Sequence, residues 1–191
     1  MSRAPILWLY GADAVGKSTV AWEIYDRVTE RGGRAAYVDT DYLGFCSSAT
    51  GDRTGELVAA NLAAMWPNFA SAGATCLVVA GVVTSAGQRR LYDGAIPSSQ
   101  STFCRLRARP ETQAERILRR ASAEGYGTEG AVSGLSAERL GEYAASSARF
   151  ARALEQDDFG DFAVDTDDEN VPALAQAVLR QAGPAWREFC D

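Results

Sequence analysis

The chain contains no histidine. Its absence removes the imidazole, the side chain most suited to proton transfer near neutral pH and a common metal ligand, so any acid–base step falls to a carboxylate, a lysine or water. Cysteine is sparse: Cys46, Cys76, Cys104 and Cys190 stand far apart with no C-x-x-C pair, which suggests neither a zinc site nor a disulfide framework. They read as reduced packing cysteines. Cations are outnumbered, with 19 Lys and Arg against 25 Asp and Glu and a net charge of -6. Binding to nucleic acid draws its affinity from clustered cations, so a nucleic-acid-coating surface is not expected. No apolar run approaches the roughly 20 residues of a bilayer crossing. The opening "MSRAPILWLYGADA" has too short an apolar stretch, followed by glycine and charge, to be a secretory signal. A cytoplasmic protein with no membrane partner is expected.

What the sequence does have is alternation. "PILWLY" (5–10) is a short apolar run ended by Gly11, as in a strand buried on both faces. "VAWEIYDRVTER" then places Val20, Ile24 and Val28 at helical spacing, and Gly32 and Gly33 stop it. "RAAYVD" (34–39), "TCLVVAGVV" (75–83), "STFCRLRA" (101–108) and "DFAVDT" (161–166) are further strand candidates. A helix over 55–72, bent or interrupted near Pro67, lies between the second and third. Pro110 starts another with a stripe of Ala114, Ile117, Leu118 and Ala121, a long helix runs over roughly 135–156, and "VPALAQAVLRQAG" closes the chain with Gly183 as cap. Strands alternating with helices imply an α/β three-layer sandwich on a five-stranded parallel sheet. Nothing divides the chain, so 1–191 reads as a single domain, with the glycine-rich stretch around 119–134 as a mobile lid.

"GADAVGKST" (11–19) sits between the first strand and the first helix, and Gly11, Gly16, Lys17 and Ser18 match G-x-x-x-x-G-K-[ST] in the context that gives the pattern meaning. The motif predicts a P-loop NTPase. Backbone N–H groups of Gly11, Ala12, Asp13, Ala14, Val15, Gly16 and the helix start through Thr19 would wrap a polyphosphate, with Lys17 on its outer phosphates and Ser18 on Mg²⁺. ATP and Mg²⁺ are the implied cofactors. A GTPase would need an N-K-x-D base-reading motif, which is absent, and "DRTG" (52–55) has no strand before it. A motor or transporter ATPase would carry an acid at the end of the third strand, where "CLVVAGVV" has none.

"YVDTDYLGF" supplies acids elsewhere: Asp39 and Asp41, two apart at the carboxyl edge of the second strand, lie on one side of an extended chain. Capping of the following loop is their alternative role. With the P-loop, this D-x-D resembles the small-molecule kinases of the P-loop superfamily, the shikimate, gluconate and adenylylsulfate kinase group. The order of elements matches over nearly the whole chain, though specific motifs are few. The resemblance implies a phosphotransferase acting on an alcohol, with Asp39 helping to hold Mg²⁺ and Asp41 orienting and deprotonating the acceptor hydroxyl.

It also implies roles for arginines. Arg116 and Arg120 resemble the R-x-x-x-R entering the lid of these kinases, contacting adenine and the transferring phosphate; a solvated helix face is the alternative. Arg119 has Glu115 four residues before it as a surface partner. In "FAVDTDDEN" the resemblance marks Asp165, Thr166 and Asp167 as adenine-side candidates, while Asp167 or Asn170 could equally cap the last helix. Arg105, Arg107 and Arg109 alternate along the fourth strand, so an internal ion network is expected, with Arg109 a minor ligand candidate. Met65, Trp66 and Phe69 fit core more readily than an acceptor wall, and Arg89 and Arg90 are either a surface pair or contacts for an acidic acceptor. The expected partners are a nucleotide and a small-molecule acceptor, in a monomer or homodimer. Two other readings stay open: a nucleotide-binding regulatory ATPase or switch without an acceptor, and a nucleoside monophosphate kinase.

Overall fold

The computed structural model describes residues 3–47, 52–122, 132 and 134–190. Five parallel strands, β1 (Ala4–Tyr10), β2 (Ala35–Asp39), β3 (Cys76–Gly81), β4 (Ser99–Arg107) and β5 (Phe162–Asp165), form one sheet in the order β2-β3-β1-β4-β5. The apolar run of β1 takes the centre because both of its faces are covered. Leu7 and Leu9 point into one core layer, and Ile6, Trp8 and Tyr10 into the other. The first layer is closed by α1 (Lys17–Glu30) and α6 (Val171–Gln181), through Val20, Ile24 and Val28 against Leu174, Val178 and Leu179. The second is closed by α2 (Asp52–Ser71), α3 (Ala86–Ala95) and Leu154 of α5 (Ala137–Asp157). This is the expected three-layer α/β sandwich.

The chain leaves β1 toward β2 and β3 on one side and later builds β4 and β5 on the other. The C-terminal end of β1 is therefore the switch point of the sheet, where α/β folds open a crevice. Four local readings are corrected. Helix α2 runs through Pro67 without interruption, held by Trp66 and Leu62 in the core. In α4 (Pro110–Ser122) the inward positions are Gln113 and Ile117, while Leu118 is 52% exposed. Gly183 does not cap α6, whose C-cap is Ala182; with φ 102° it starts a short α7 (Pro184–Arg187) that buries Trp186. Helix α3, unmarked in the sequence reading, buries only Tyr92. Of the expected lid, residues 123–131 and 133 lie outside the described residues.

Candidate active site

The loop between β1 and α1 is shaped by backbone conformation. Gly11 has φ 152°, and a Cβ there would lie 2.3 Å from the Leu106 carbonyl oxygen, so the loop leaves β1 in contact with β4. Ala14 (φ 60°) and Gly16 (φ 97°) take left-handed conformations, which curl the chain and leave α1 with a glycine N-cap that supplies no side-chain hydrogen bond. The first N–H groups of α1 thus lack a side-chain acceptor, and the first turn contains no acid. A cradle of free backbone donors at the positive end of a 14-residue helix fits an anion such as a polyphosphate.

Lys17 is the only lysine in the chain. It is 7% exposed, and its Nζ donates to the Ala12 carbonyl at 3.0 Å, folding back over the loop. Burial lowers its pKa; the charges of Asp13, Asp41 and Asp39 oppose that shift, and Arg120 reinforces it. These residues from the loop, the end of β2 and the end of α4 therefore share one electrostatic neighbourhood. Among the described residues Arg120 has no carboxylate within ion-pair reach.

The Ser18 hydroxyl donates to Asp39 Oδ2 at 2.7 Å. Asp39 also caps the short turn Thr40–Tyr42, its Oδ1 accepting from the Asp41 N–H at 3.1 Å. Asp39 therefore both caps the loop and joins the hydroxyl of the P-loop serine. Tyr37, two residues earlier on β2, has its phenol beside both groups, and its pKa is raised by burial and by the Asp39 charge. The pKa of Asp41 is raised as well: desolvation dominates, Lys17 opposes it, and Asp39 and Asp13 add to it. The backbone of Val82, just past β3, hydrogen-bonds to the Asp41 carboxylate. The turn approaches β3 so closely because Gly81 leaves a notch. A Cβ there would lie 1.8 Å from Thr40 Oγ1, which donates to the Ala80 carbonyl at 3.2 Å. The third strand, which carries no acid, supplies a glycine against which the acidic turn rests.

The other candidates have defined partners. Arg116 donates to the Ala14 carbonyl (3.2 Å), to Thr166 Oγ1 (3.0 Å) and to the Thr166 carbonyl. Buried Thr166 in turn lies 3.0 Å from the Val15 carbonyl. Arg116 and Thr166 thus join the turn after β5 to the outer side of the P-loop. Asp165 is held in a two-pronged pair by Arg107, at 2.7 and 3.0 Å. Arg105, buried, donates to the Leu154 carbonyl and pairs with Glu155 and Asp158, and Arg107 also reaches Glu155. The expected internal ion network is corrected: it joins β4, β5 and α5, but only Arg105 in it is buried, and Arg109 lies past the end of β4. Arg109 pairs with Asp168 at 3.2 Å, its N–H bonds Asp167, and Asn170 is the residue that caps α6. Arg89 is held by Asp161 at 2.6 Å and lies over the Phe103 ring, while Arg90 is exposed. Met65, Trp66 and Phe69 belong to the core layer under α2.

Sequence reasoning missed the contribution of α5. Tyr143 donates its hydroxyl to Asp13 Oδ2 at 3.0 Å, and Ser147 lies 3.4 Å from the Asp13 carbonyl and 3.2 Å from Gln113 of α4. No local signal marks residues 130 positions from their partner. Gly81 was legible in principle, as a glycine interrupting the most strand-like run.

The fold and this crevice define the class: a P-loop kinase-like α/β fold. Among solved structures, the tunicamycin resistance protein of Deinococcus radiodurans is similar with TM-score 0.63 and 16% identity, covering 95% of this chain and 96% of that one. A gluconokinase from Sinorhizobium meliloti 1021 is similar with TM-score 0.62 and 14% identity, over 95% and 93% of the two chains. A shikimate kinase from Acinetobacter baumannii, in complex with shikimate, has TM-score 0.58 and 15% identity, over 92% and 91%. No family model and no curated protein sequence matches the chain. No helix among the described residues is long and apolar enough to cross a membrane.

Proposed function

We propose that the protein is a phosphotransferase that uses ATP and Mg²⁺ to phosphorylate a hydroxyl of a small molecule, with 1–191 acting as a single domain and the segment around 119–134 as its lid. The observation that carries the reading is Asp41. It is a carboxylate with a raised affinity for a proton, at the open edge of β2, in the electrostatic neighbourhood of the P-loop lysine. When bound, ATP with Mg²⁺ supplies the transferable phosphoryl group and neutralises its charge.

In this reading the N–H groups of residues 11–19 and Lys17 hold and orient the phosphates, and Ser18 with Asp39 holds the metal. Among the described residues no group of three or more His, Cys, Asp or Glu is placed so that it could hold a metal ion. Mg²⁺ does not require one, because it keeps several waters and commonly takes one or two protein oxygens beside the phosphates. Arg120 serves the charge that develops at the transferring group, and Arg116 and the Asp165–Thr166 turn border the nucleoside. Asp41 would take up the acceptor's hydroxyl proton as the acceptor oxygen bonds the γ-phosphorus and the bond from that phosphorus to the β-phosphate oxygen breaks, with ADP as the leaving group.

The sole lysine gives a direct test. Lys17 and the chain's terminal amine are the only amines that acetic anhydride can acylate, and peptide mass spectrometry tells them from each other and from acylated tyrosine or cysteine. ATP with Mg²⁺ should protect Lys17 alone, and Lys17→Ala should abolish ADP release in the presence of pooled hydroxylated metabolites. Acylation of Lys17 indifferent to nucleotide, or ADP release without any phosphorylated acceptor, would overturn the proposal.

A further inference from the structure

The turn that carries Asp41 continues into two exposed aromatic side chains. Tyr42 is 73% and Phe45 83% exposed, and their rings meet edge to face with centroids 6.3 Å apart. The residues between them are fixed inward. Leu43 packs against the core, its carbonyl accepts from Asn61 of α2 at 2.8 Å, and Gly44 abuts Thr54 and Val58 so closely that a Cβ would lie 3.0 Å from the threonine methyl. The chain is thus pinned to α2 at its middle, and both flanking rings are turned outward. The next residue of α2, Gly55, faces Gln88 and Leu91 of α3, and Leu91 is itself 39% exposed. Tyr42 directly follows the proposed base, Gly44 between the two rings packs on the first turns of α2, and Leu91 approaches α2 at Gly55. Large rings left in water next to a reacting group mark a binding surface.

Asp13, Asp39 and Asp41 bear on Lys17, and Lys17 and Arg120 are the cations of that neighbourhood, which the phosphates would occupy. On α3, Arg89 is already paired with Asp161. Arg53 and Arg90 are exposed on α2 and α3, so it is the rings, not charge, that distinguish this edge. Resting on the phosphotransferase reading, we infer that the acceptor is a hydroxyl-bearing molecule with a flat apolar or aromatic part, and that Tyr42 and Phe45 are the residues that select it.

Matched acceptors test this: phenyl β-D-glucoside against glucose, and uridine against ribose, with gluconate and shikimate as the acidic arm. ADP release and product mass are read with Mg²⁺ and ATP. The aromatic member of each pair should exceed its plain counterpart about tenfold in kcat/KM. The Tyr42→Ala/Phe45→Ala variant should lose that margin through KM, while its ATP affinity and thermal midpoint stay unchanged. A margin that survives in the variant, faster turnover of the acids, or a homodimer that buries both rings by light scattering and amide exchange overturns the inference and leaves the phosphotransferase standing. Nucleotide bound with no acceptor phosphorylated in any arm overturns both.

Discussion

Replacing Asp41 with asparagine isolates proton transfer from nucleotide binding. The side chain keeps its size and can still accept from the Val82 backbone, but it loses the negative charge and the capacity to take a proton. A positioned general base contributes about 10²–10⁴-fold. Proton transfer comes late in phosphoryl transfer, so the lower half of that range applies: kcat should fall about 10²–10³-fold, or ~3–4 kcal/mol of barrier. ATP affinity should change little, because the Ser18–Asp39 pair proposed to hold the metal is untouched. The wild-type rate should fall as pH drops through the raised pKa of Asp41, and that acid limb should be missing in Asp41→Asn. Stability moves the other way. A carboxylate whose folded pKa is raised adds nothing unfavourable below the ordinary carboxylate range, and it costs stability in full above its raised value. The variant should therefore melt no lower than wild type at pH 8. Coupled ADP release, calorimetric titration with a non-hydrolysable ATP analogue and a thermal melt read the three effects. Nucleotide affinity falling as much as kcat would move Asp41 to metal duty, and an unchanged kcat would remove it from the chemistry.

Ser18→Ala and Asp39→Asn should each raise the Mg²⁺ concentration for half-maximal rate about ten- to a hundredfold, and the double variant should fall short of their product because the two side chains share one hydrogen bond; full additivity would refute a common metal-side role. Gly81→Ala should destabilise by about 2–4 kcal/mol in urea unfolding, since its Cβ would meet Thr40 Oγ1 at 1.8 Å with φ at 157°, and an unshifted midpoint would show that the acidic turn does not rest there. Lys17→Arg should lose ATP affinity almost as fully as Lys17→Ala, because a branched guanidinium cannot occupy the buried path that brings Nζ to the Ala12 carbonyl; retained binding would show that charge alone suffices.

The shape of the loop over residues 11–19 was legible because it is written in backbone chemistry. Glycines at fixed spacing between an apolar run and a helix admit few conformations, and Gly11 and Gly16 take the positive φ their positions required. A second signal lies in composition: with Lys17 as the only lysine, every other basic position is arginine, so the compact ammonium stands where the motif needs it. Strand alternation likewise foretold the pairing of Arg105 and Arg107 with acids. What remained hidden is made by distance in sequence. Tyr143 and Ser147 reach Asp13 across more than a hundred residues, and nothing in "GEYAASSARF" marks them. Helix α3 escaped notice because only Tyr92 is buried in it, so no apolar stripe exists to be read. Leu118 misled for the opposite reason: it fits the stripe of α4, but Gln113 takes the inward place by bonding the Ala108 carbonyl and meeting Ser147.

The two halves of the crevice are also built with different redundancy. The P-loop is held from every side: by Leu106 behind Gly11, by Arg116 and Thr166 on the carbonyls of Ala14 and Val15, and by Tyr143 and Ser147 at Asp13. A loop held from several sides depends less on any one contact, which suits the phosphate cradle of the proposed function. The edge that carries Asp41 hangs on fewer points, namely the Asp39 cap, the Gly81 notch and Asn61 on the Leu43 carbonyl, and its outermost rings meet each other. Substitutions at Tyr42 and Phe45 should therefore leave the loop over residues 11–19 intact, because among the described residues no hydrogen bond or ring contact joins these rings to it. Under the proposed function, this arrangement would fix how a phosphoryl group is held and leave the surface that meets the acceptor free to differ from one chain to the next.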